Sequence, residues 1–333
     1  MPILTLGEAE DLVAITLTRC RTSGDNARSV AQALVAAEAD GLKGHGLSRV
    51  PTYAAQAKVG KVDGFATPAV TAPRPGIVAV DAANGFAYPA IEKALAALPD
   101  AARVNGLAAS PIRRSHHCGV AGHPVERLAA DGFVALMFAN TPAAIAPEGG
   151  SRPVFGTNPI AFAAPLPGRA PLVIDLSLSK VARGNILAAK QRGECIPEGW
   201  ALDAEGHPTT DPDAALKGTM VPLGDAKGTV LALMVELLAA GLTGANFAAE
   251  ASSFLDAKGP PPGTGQLIIA FDPVAFAGAN ATARFAALAA MIEDQDGARL
   301  PGSRRLASRR KAAAEGLTVS DSLLAEIEAA ASG

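Results

Sequence analysis

Residues 39–49 of this 333-residue chain read Ala-Asp-Gly-Leu-Lys-Gly-His-Gly-Leu-Ser-Arg. The run Gly44-His45-Gly46 begins like the G-x-G-x-x-G phosphate loop of a Rossmann fold, but Arg49 stands where the third glycine is required. Apolar residues at helical spacing precede this stretch, and a helix is predicted to begin near Ser48, with Pro51 in its first turn. The stretch therefore predicts a glycine-rich loop between helices rather than a Rossmann nucleotide site.

The composition is typical of a globular protein that acts on small molecules. Hydrophobic residues make up 49% of the chain, which predicts a buried core and two domains. The 29 basic residues are balanced by 32 acidic ones, so no basic surface is expected for nucleic acid or for an anionic membrane. No signal peptide is recognised, and the longest apolar run, residues 229–242, is interrupted by Glu236, so no membrane span is predicted.

The cysteines indicate the compartment. Cys20, Cys118 and Cys195 lie far apart without a C-x-x-C pair, so the sequence encodes neither a disulfide framework nor a zinc ribbon. A reducing, cytoplasmic location is therefore expected, and no metal site is predicted.

Hydrophobic periodicity predicts helices at both ends of the chain and strands in the middle. Helices are predicted at residues 8–20, 25–40, 87–98, 125–131, 229–242, 281–293, 306–315 and 321–331. Strands are predicted at residues 76–81, 133–138, 159–164, 172–176 and 266–272. Only some strands have helices between them, so the sheet should be mixed. The predicted fold class is α/β, with a helical domain from residues 1–70 and 280–333 and a sheet-centred domain from residues 71–279.

A histidine and an arginine lie four residues apart in the glycine loop. His45 has little steric cover, and Arg49 can lie beside it where the loop runs into a helix. This pair would supply a proton donor and a bidentate clamp for a carboxylate. The spacing equally fits a loop histidine beside a surface arginine that caps the helix, so it leaves both interpretations open.

Three further clusters of residues are considered as ligand sites, beside an ordinary structural role. Residues 115–123, Ser-His-His-Cys-Gly-Val-Ala-Gly-His, lack a coherent metal-ligand set because neighbours in extended structure point to opposite faces, whereas a glycine turn that opens a helix suits phosphate. Asp175 and Ser177 at the end of a predicted strand suit ribose hydroxyls or a simple turn. Residues 299–305 place three arginines about a Pro-Gly turn, as phosphate ligands or as a solvated loop.

Taken in order, these segments resemble the type-2 malate/L-lactate dehydrogenase family, which also contains ureidoglycolate and sulfolactate dehydrogenases and Δ1-piperideine/Δ1-pyrroline-2-carboxylate reductases. The resemblance runs over nearly the whole chain. It is carried by Ala39-Asp40 with Gly-His-Gly and Arg49, Ser115-x-His117 with Gly119, Gly156-Thr157-Asn158-Pro159-Ile160, Asp175-Leu176-Ser177 with Ala182-Arg183-Gly184, residues 231–244, and Leu300-Pro301-Gly302. It implies a non-Rossmann nicotinamide-dinucleotide fold and a homodimer, with the active site between the domains.

The resemblance also implies roles for individual residues. His45 matches the proton donor, Arg49 the ligand of the substrate carboxylate, and Thr157 a substrate contact, with Ser179 as a further one. The cofactor, NADPH or NADH, is expected to contact His117, Cys118, Gly119, Val120, Ala121, Asp175, Leu176, Ser177, Lys227, Arg299, Pro301, Gly302, Arg304 and Arg305.

Two positions depart from the family pattern. Members commonly have a serine before the histidine, in a charge relay, where this chain has Gly44, so Ser48 or Lys43 is a candidate to orient His45. Ser303 stands where members commonly have glutamate.

Residues 115–129 resemble the ketimine-reductase branch, so the expected reaction is NAD(P)H-dependent reduction of Δ1-pyrroline-2-carboxylate to L-proline, or of Δ1-piperideine-2-carboxylate to L-pipecolate. The alternatives are a malate/lactate-type dehydrogenase that interconverts a 2-oxo acid and a 2-hydroxy acid, and a non-catalytic protein that keeps a nucleotide site. The expected partner is a small-molecule carboxylate substrate, besides a second copy of the chain.

Overall fold

The computed structural model describes residues 1–332, and its centre is a seven-stranded mixed sheet. The strands are β1 (Ile3–Leu4), β2 (Ala69–Arg74), β3 (Ile77–Asp81), β4 (Leu107–Ser115), β5 (Val134–Ala139), β6 (Ile160–Ala164), β7 (Leu172–Leu176), β8 (Ala201–Leu202), β9 (Pro208–Thr209), β10 (Thr219–Met220), β11 (Thr264–Phe271) and β12 (Leu317–Thr318). The central sheet has the order β2-β3-β4-β11-β5-β6-β7. Among the strands described for this sheet, only β3 and β4 pair in parallel, so the predicted mixed direction is confirmed.

Helices surround this sheet and also form a separate layer. They are α1 (Leu6–Arg19), α2 (Gly24–Ala39), α3 (Val50–Lys58), α4 (Ala87–Asn105), α5 (Gly122–Ala130), α6 (Arg183–Arg192), α7 (Pro212–Lys217), α8 (Ala226–Glu236), α9 (Pro273–Ala277), α10 (Ala281–Glu293), α11 (Ser303–Glu315) and α12 (Asp321–Ser332). Side chains of adjacent residues along β11 enter opposite faces of the sheet, as the two-residue period of a strand requires. Ile268 packs with α4 and α5, whereas Leu267 packs with α8.

The two ends of the chain meet in a helical core. Thr5 and Glu8 form a capping box at the start of α1, and the Ser23 hydroxyl caps α2, so both helices begin where the sequence supplies a cap. Strand β1 pairs with β12. The buried residues of α1, α2 and α3 pack together with residues that follow position 310, among them Ala312, Leu317, Val319 and Ile327. Helix α10 packs instead against α9.

Several predicted boundaries are wrong for identifiable reasons. Helix α4 continues through Pro99 to Asn105, although the prediction ends at Leu98. Strand β4 is not among the predicted strands because its sequence contains Pro111 and two arginines, yet it is an interior strand of the sheet. The predicted helix at 229–242 changes at Leu237 into a π-helical turn that runs to Gly241.

One helical stretch also departs from the expectation that no segment reaches the length of a membrane span. Pro273–Glu293 has 21 residues and a mean hydropathy of 1.3, which satisfies that criterion by length and composition. However, α9 ends at Ala277, a 3₁₀ turn follows, and Arg284 lies within α10. A break and a charge of this kind are not typical of a continuous spanning helix.

Candidate active site

The loop that carries His45 is hydrogen-bonded to a buried carboxylate. Glu38, at the end of α2, accepts a hydrogen bond from the backbone N–H of Leu47 at 2.9 Å. A Cβ atom on Gly46 would lie 2.2 Å from the same carboxylate, so only glycine fits there. Burial raises the pKa of Glu38 above its ordinary value. Residues 43–49 form two short 3₁₀ turns over this support.

Two backbone carbonyl groups of the loop accept hydrogen bonds from the side chains of Ser48 and Arg49. The Ser48 hydroxyl donates to the carbonyl oxygen of Lys43 at 2.6 Å, and the Arg49 Nε–H donates to that of Gly44 at 2.6 Å. Neither Ser48 nor Lys43 is hydrogen-bonded to His45 within residues 1–332, so no direct contact with His45 supports the predicted role of Ser48. The remaining N–H groups of Arg49 have no hydrogen-bond acceptor in the same range and suit a carboxylate.

The His45 imidazole is neutral at physiological pH. Its ring stacks on that of His117 with centroids 5.3 Å apart. Burial lowers the pKa of His45 to about 4, with further contributions from the charges of Arg49 and His123. Its Nδ1 atom is buried without a partner among the described residues, whereas Nε2 keeps access to solvent. The neutral His45 ring therefore lies close enough to the Arg49 guanidinium for that charge to lower its pKa, and the tautomer decides whether Nε2 carries the single proton.

Both tyrosines of the chain lie behind His117. The Tyr53 hydroxyl is 2.6 Å from Nδ1 of His117 and 3.2 Å from the Tyr88 hydroxyl. Phe254 packs against the His116 and His117 rings, each with centroids 5.3 Å away. Burial lowers the pKa of His117 well below its ordinary value. These aromatic groups pack together behind His117 as an aromatic wall, which was not predicted from the sequence.

The segment predicted to bind the cofactor forms a turn at the start of α5. Gly119 has a φ of +68°, and a Cβ atom there would lie 2.7 Å from the Tyr88 hydroxyl. Burial raises the pKa of Cys118 to about 12, so this thiol stays protonated. The N-cap residue of α5, Ala121, has no capping side chain, and the carboxylate of the distant Asp175 accepts a hydrogen bond from the Gly122 N–H at 2.7 Å instead. The end of β7 thus joins the turn, which fits a nucleotide that spans both segments.

Hydroxyl groups cluster around Thr157, at the entry to β6. The Thr157 hydroxyl lies 3.3 Å from that of Thr141, and the Thr157 carbonyl oxygen accepts a hydrogen bond from the Ser177 hydroxyl at 3.4 Å. Ser179 is buried, and its hydroxyl donates to the carbonyl oxygen of Val181 at 2.7 Å. The hydrogen of Ser179 is therefore already engaged, which leaves Thr157 as the better candidate for a substrate contact.

The basic loop of residues 299–305 divides into two parts. Arg299 and Arg304 are exposed, as is Lys227 at the start of α8. Arg305 is mostly buried and forms ion pairs with Asp40 and Glu126, at 3.6 Å and 3.1 Å. Arg305 therefore ties α11 to the predicted cofactor domain, and the exposed arginines are the ones free to meet a phosphate.

Residues 4–328 match the family model described as malate/L-lactate dehydrogenase. The chain belongs to this family. A (2R)-3-sulfolactate dehydrogenase (NADP(+)) of Chromohalobacter salexigens is 52% identical over 327 residues, which cover 98% of this chain and 97% of that protein. A Delta(1)-pyrroline-2-carboxylate reductase 2 of Burkholderia multivorans is 40% identical over 329 residues, which cover 98% and 97%.

The fold of this chain is similar to that of a relative whose structure has been solved. A delta1-piperideine-2-carboxylate reductase from Pseudomonas syringae superimposes with a TM-score of 0.94 at 38% identity, over 99% of this chain and 100% of that one. The family resemblance read from the sequence is therefore confirmed. The chain is an NAD(P)-dependent oxidoreductase that acts on a C=N or C=O bond, and the alternative of a non-catalytic nucleotide-binding protein falls.

Proposed function

We propose that this enzyme is an NADP-dependent dehydrogenase of a 2-hydroxy acid that carries a second anionic group, with (R)-3-sulfolactate and 3-sulfopyruvate as its pair. The observation that carries this proposal is the 52% identity to a (2R)-3-sulfolactate dehydrogenase, and the neutral imidazole of His45 near the guanidinium of Arg49 fits the reaction. A neutral imidazole is a base, and a base is what the oxidation of a hydroxyl group requires.

Each residue of this site has a separate role in the proposed reaction. Arg49 holds the substrate carboxylate through two parallel hydrogen bonds, which fixes C2 in place. His45 accepts the hydroxyl proton at Nε2 during oxidation and returns it to the oxygen during reduction. The bound nicotinamide ring supplies the chemistry of hydride transfer at C2. The apolar ring of Phe254 behind His117 excludes water from this edge of the cleft.

The relatives support a hydroxy acid ahead of an imine. The sulfolactate dehydrogenase is 52% identical, whereas the pyrroline-2-carboxylate reductase is 40% identical over a similar length. This order reverses the one predicted from residues 115–129. The name of the first relative includes NADP(+), and the exposed Arg299 and Arg304 suit a 2′-phosphate, so NADPH is proposed over NADH.

Reduction of a cyclic ketimine carboxylate is the second candidate. The similarity in fold to the piperideine-2-carboxylate reductase favours it. A protonated imine brings its own proton, so a neutral His45 is compatible with this reaction as well. Arg49 would hold the carboxylate in the same way.

Parallel steady-state assays test the choice. NADPH and NADH oxidation would be followed with 3-sulfopyruvate, oxaloacetate, pyruvate, Δ1-pyrroline-2-carboxylate and Δ1-piperideine-2-carboxylate, and NADP⁺ reduction with (R)-3-sulfolactate. We expect the highest kcat/KM with the sulfonated pair. Imine turnover above every oxo acid would overturn the first proposal in favour of the second. Arg49→Lys should raise KM, whereas Arg28→Lys, on the surface of α2, serves as the matched control.

We also propose that the chain works as a cytoplasmic homodimer. All three cysteines are free, which suits a reducing compartment. One face of α8 and the π turn exposes Val230, Leu231, Leu233, Met234 and Leu237, an apolar set that a second copy would cover. Sedimentation equilibrium tests this: Leu233→Glu should give monomers, whereas Leu288→Glu, on the exposed apolar side of α10, should not. A monomeric wild-type protein would contradict the proposal.

A further inference from the structure

A buried lysine anchors the segment that forms the aromatic wall. The side chain of Lys61, which follows α3, is fully buried, and its Nζ lies 2.6 Å, 3.0 Å and 2.6 Å from the backbone carbonyl oxygens of Ser253, Asp256 and Lys258. An ammonium group has three N–H donors, and here each one has an acceptor. The carboxylate of Asp256 is also close to Lys61, with its Oδ1 atom 3.6 Å from the same nitrogen.

Gln56, on α3, completes the attachment. Its amide nitrogen donates to the carbonyl oxygens of Phe254 and Asp256 at 3.1 Å and 2.9 Å. Both amide hydrogens are thus engaged, so the amide oxygen is the acceptor at 2.9 Å from His116 Nε2. The segment 253–258 contains no helix or strand, and these two side chains bind it where regular backbone hydrogen bonds would otherwise act.

This segment places Phe254 against His117, which stacks on His45. A buried charge is costly unless it is fully hydrogen-bonded, and replacing it by an apolar side chain is often neutral for stability. Lys61 is therefore best explained by the backbone shape that it imposes on residues 253–258. An oxygen-lined cage around a single positive charge is also the environment that a weakly hydrated monovalent cation prefers.

We propose that residues 253–258 form a monovalent-cation loop whose cation is the chain's own Lys61 ammonium, and that this tethered cation positions Phe254 as the wall of the active site. The catalytic consequence rests on the proposed function, but the cation site does not. Lys61 is a positioning residue, since it touches neither His45 nor Arg49 and acts through Phe254.

The experiment removes the ammonium and returns it from solution. Lys61→Ala should lose about tenfold or more in kcat/KM, mostly as a higher KM, and hydrogen exchange of residues 252–260 should become faster. Ammonium, methylammonium or K⁺ should restore both properties and raise the Tm of the variant, whereas tetramethylammonium at equal ionic strength should not. Wild-type protein should respond to none of these cations. Lys258→Ala is the matched control, because it changes an exposed lysine but keeps the cage carbonyl group.

A second variant separates this role from a general loss of structure. Phe254→Leu should reproduce the higher KM, and the double variant with Lys61→Ala should be no worse than the poorer single variant, because both act on one wall. Additive losses, or a Lys61→Ala protein that no small cation rescues in exchange or melting, would overturn the proposal. If exchange and melting respond to cations while turnover of every tested substrate is absent, the cation loop stands and the proposed reaction fails.

Discussion

The Tyr53 hydroxyl lies 2.6 Å from Nδ1 of His117. Burial raises the pKa of Tyr53 to about 12, so the phenol keeps its proton and is able to donate a hydrogen bond to Nδ1 of His117. We assign the phenol as the donor because the Tyr88 hydroxyl is placed to donate to Tyr53, and this assignment puts the single N–H of the neutral His117 imidazole on Nε2. The helical core thereby fixes the tautomer of a histidine in the predicted cofactor segment.

Replacement of Tyr53 by phenylalanine should release this tautomer. The lost donor leaves a buried imidazole nitrogen unpaired, at a cost of about 1–3 kcal/mol, so we expect kcat/KM to fall by about tenfold or more. Tyr88→Phe is the control: it removes only the longer contact of 3.2 Å and should cost less. Steady-state kinetics of both variants test this, and equal losses would show that the Tyr53–His117 bond has no special role.

The pH dependence of turnover should report His45. Because its pKa is about 4, the base form is complete above about pH 5, and kcat/KM for oxidation should be constant from there upward. Reduction needs the acid form, so its kcat/KM should fall tenfold per pH unit as the pH rises above about 4. Both directions can be measured in one constant-ionic-strength buffer series. A pKa near 6.5 in either profile would contradict the burial of this ring.

Mild acid should destabilise the fold. Burial lowers the pKa of His45 to about 4, that of His116 to about 3, and that of His117 well below its ordinary value, whereas in the unfolded chain all three bind protons near pH 6.5. The unfolded state then binds more protons, so the stability is complete above pH 6.5 and is lost as the pH falls toward 4. The pKa of Asp40 is about 2, so its contribution is lost only below about pH 4.

Urea unfolding at pH 7.5, 6.0 and 5.0 measures this effect. Each histidine should contribute a slope approaching 1.4 kcal/mol per pH unit below about pH 5.5. His45→Asn should reduce the total slope. A free energy of unfolding that is flat between pH 7.5 and 5.0 would mean that these rings are protonated in the native state.

The local sequence was sufficient to predict the bounds of an element where the residues of that element alone determine its structure. The bounds of β7 and α10 agree with the prediction because a short β-branched run and a long alanine-rich run leave few alternatives. Strand β4 and the last seven residues of α4, 99–105, could not be found in this way. Pro99 and Pro111 disfavour helix and strand locally, and only packing against the sheet overrides them.

The same difference between local and long-range interactions applies to the candidate site. The resemblance pointed to His45, Arg49 and the 117–121 turn, because their motif letters are consecutive. Lys61 and its acceptor Ser253 are separated by 192 positions, and no local pattern joins them. Long-range pairs of this kind appear only when the backbone is folded, so the aromatic wall and its cation could not be predicted.

Gly119 offers a direct test of the predicted cofactor turn. Alanine at this position would be strained by the positive φ, at a cost of about 1–3 kcal/mol, and its Cβ would collide with the Tyr88 ring. Gly132, at the other end of α5, has a φ of +94° and open space around it, so Gly132→Ala carries the same kind of strain without the collision. The two variants therefore separate backbone strain from displacement of the turn.

NADPH fluorescence titration and urea unfolding should distinguish them. We expect both variants to lose stability, but only Gly119→Ala to bind NADPH at least about tenfold more weakly, because its collision moves the residues that face the nucleotide. The turn and Tyr88 would then share one position on which cofactor affinity depends. If Gly119→Ala binds NADPH as tightly as Gly132→Ala does, the cofactor must lie away from residues 117–121, and the end of β7 near Asp175 becomes the place to search for it.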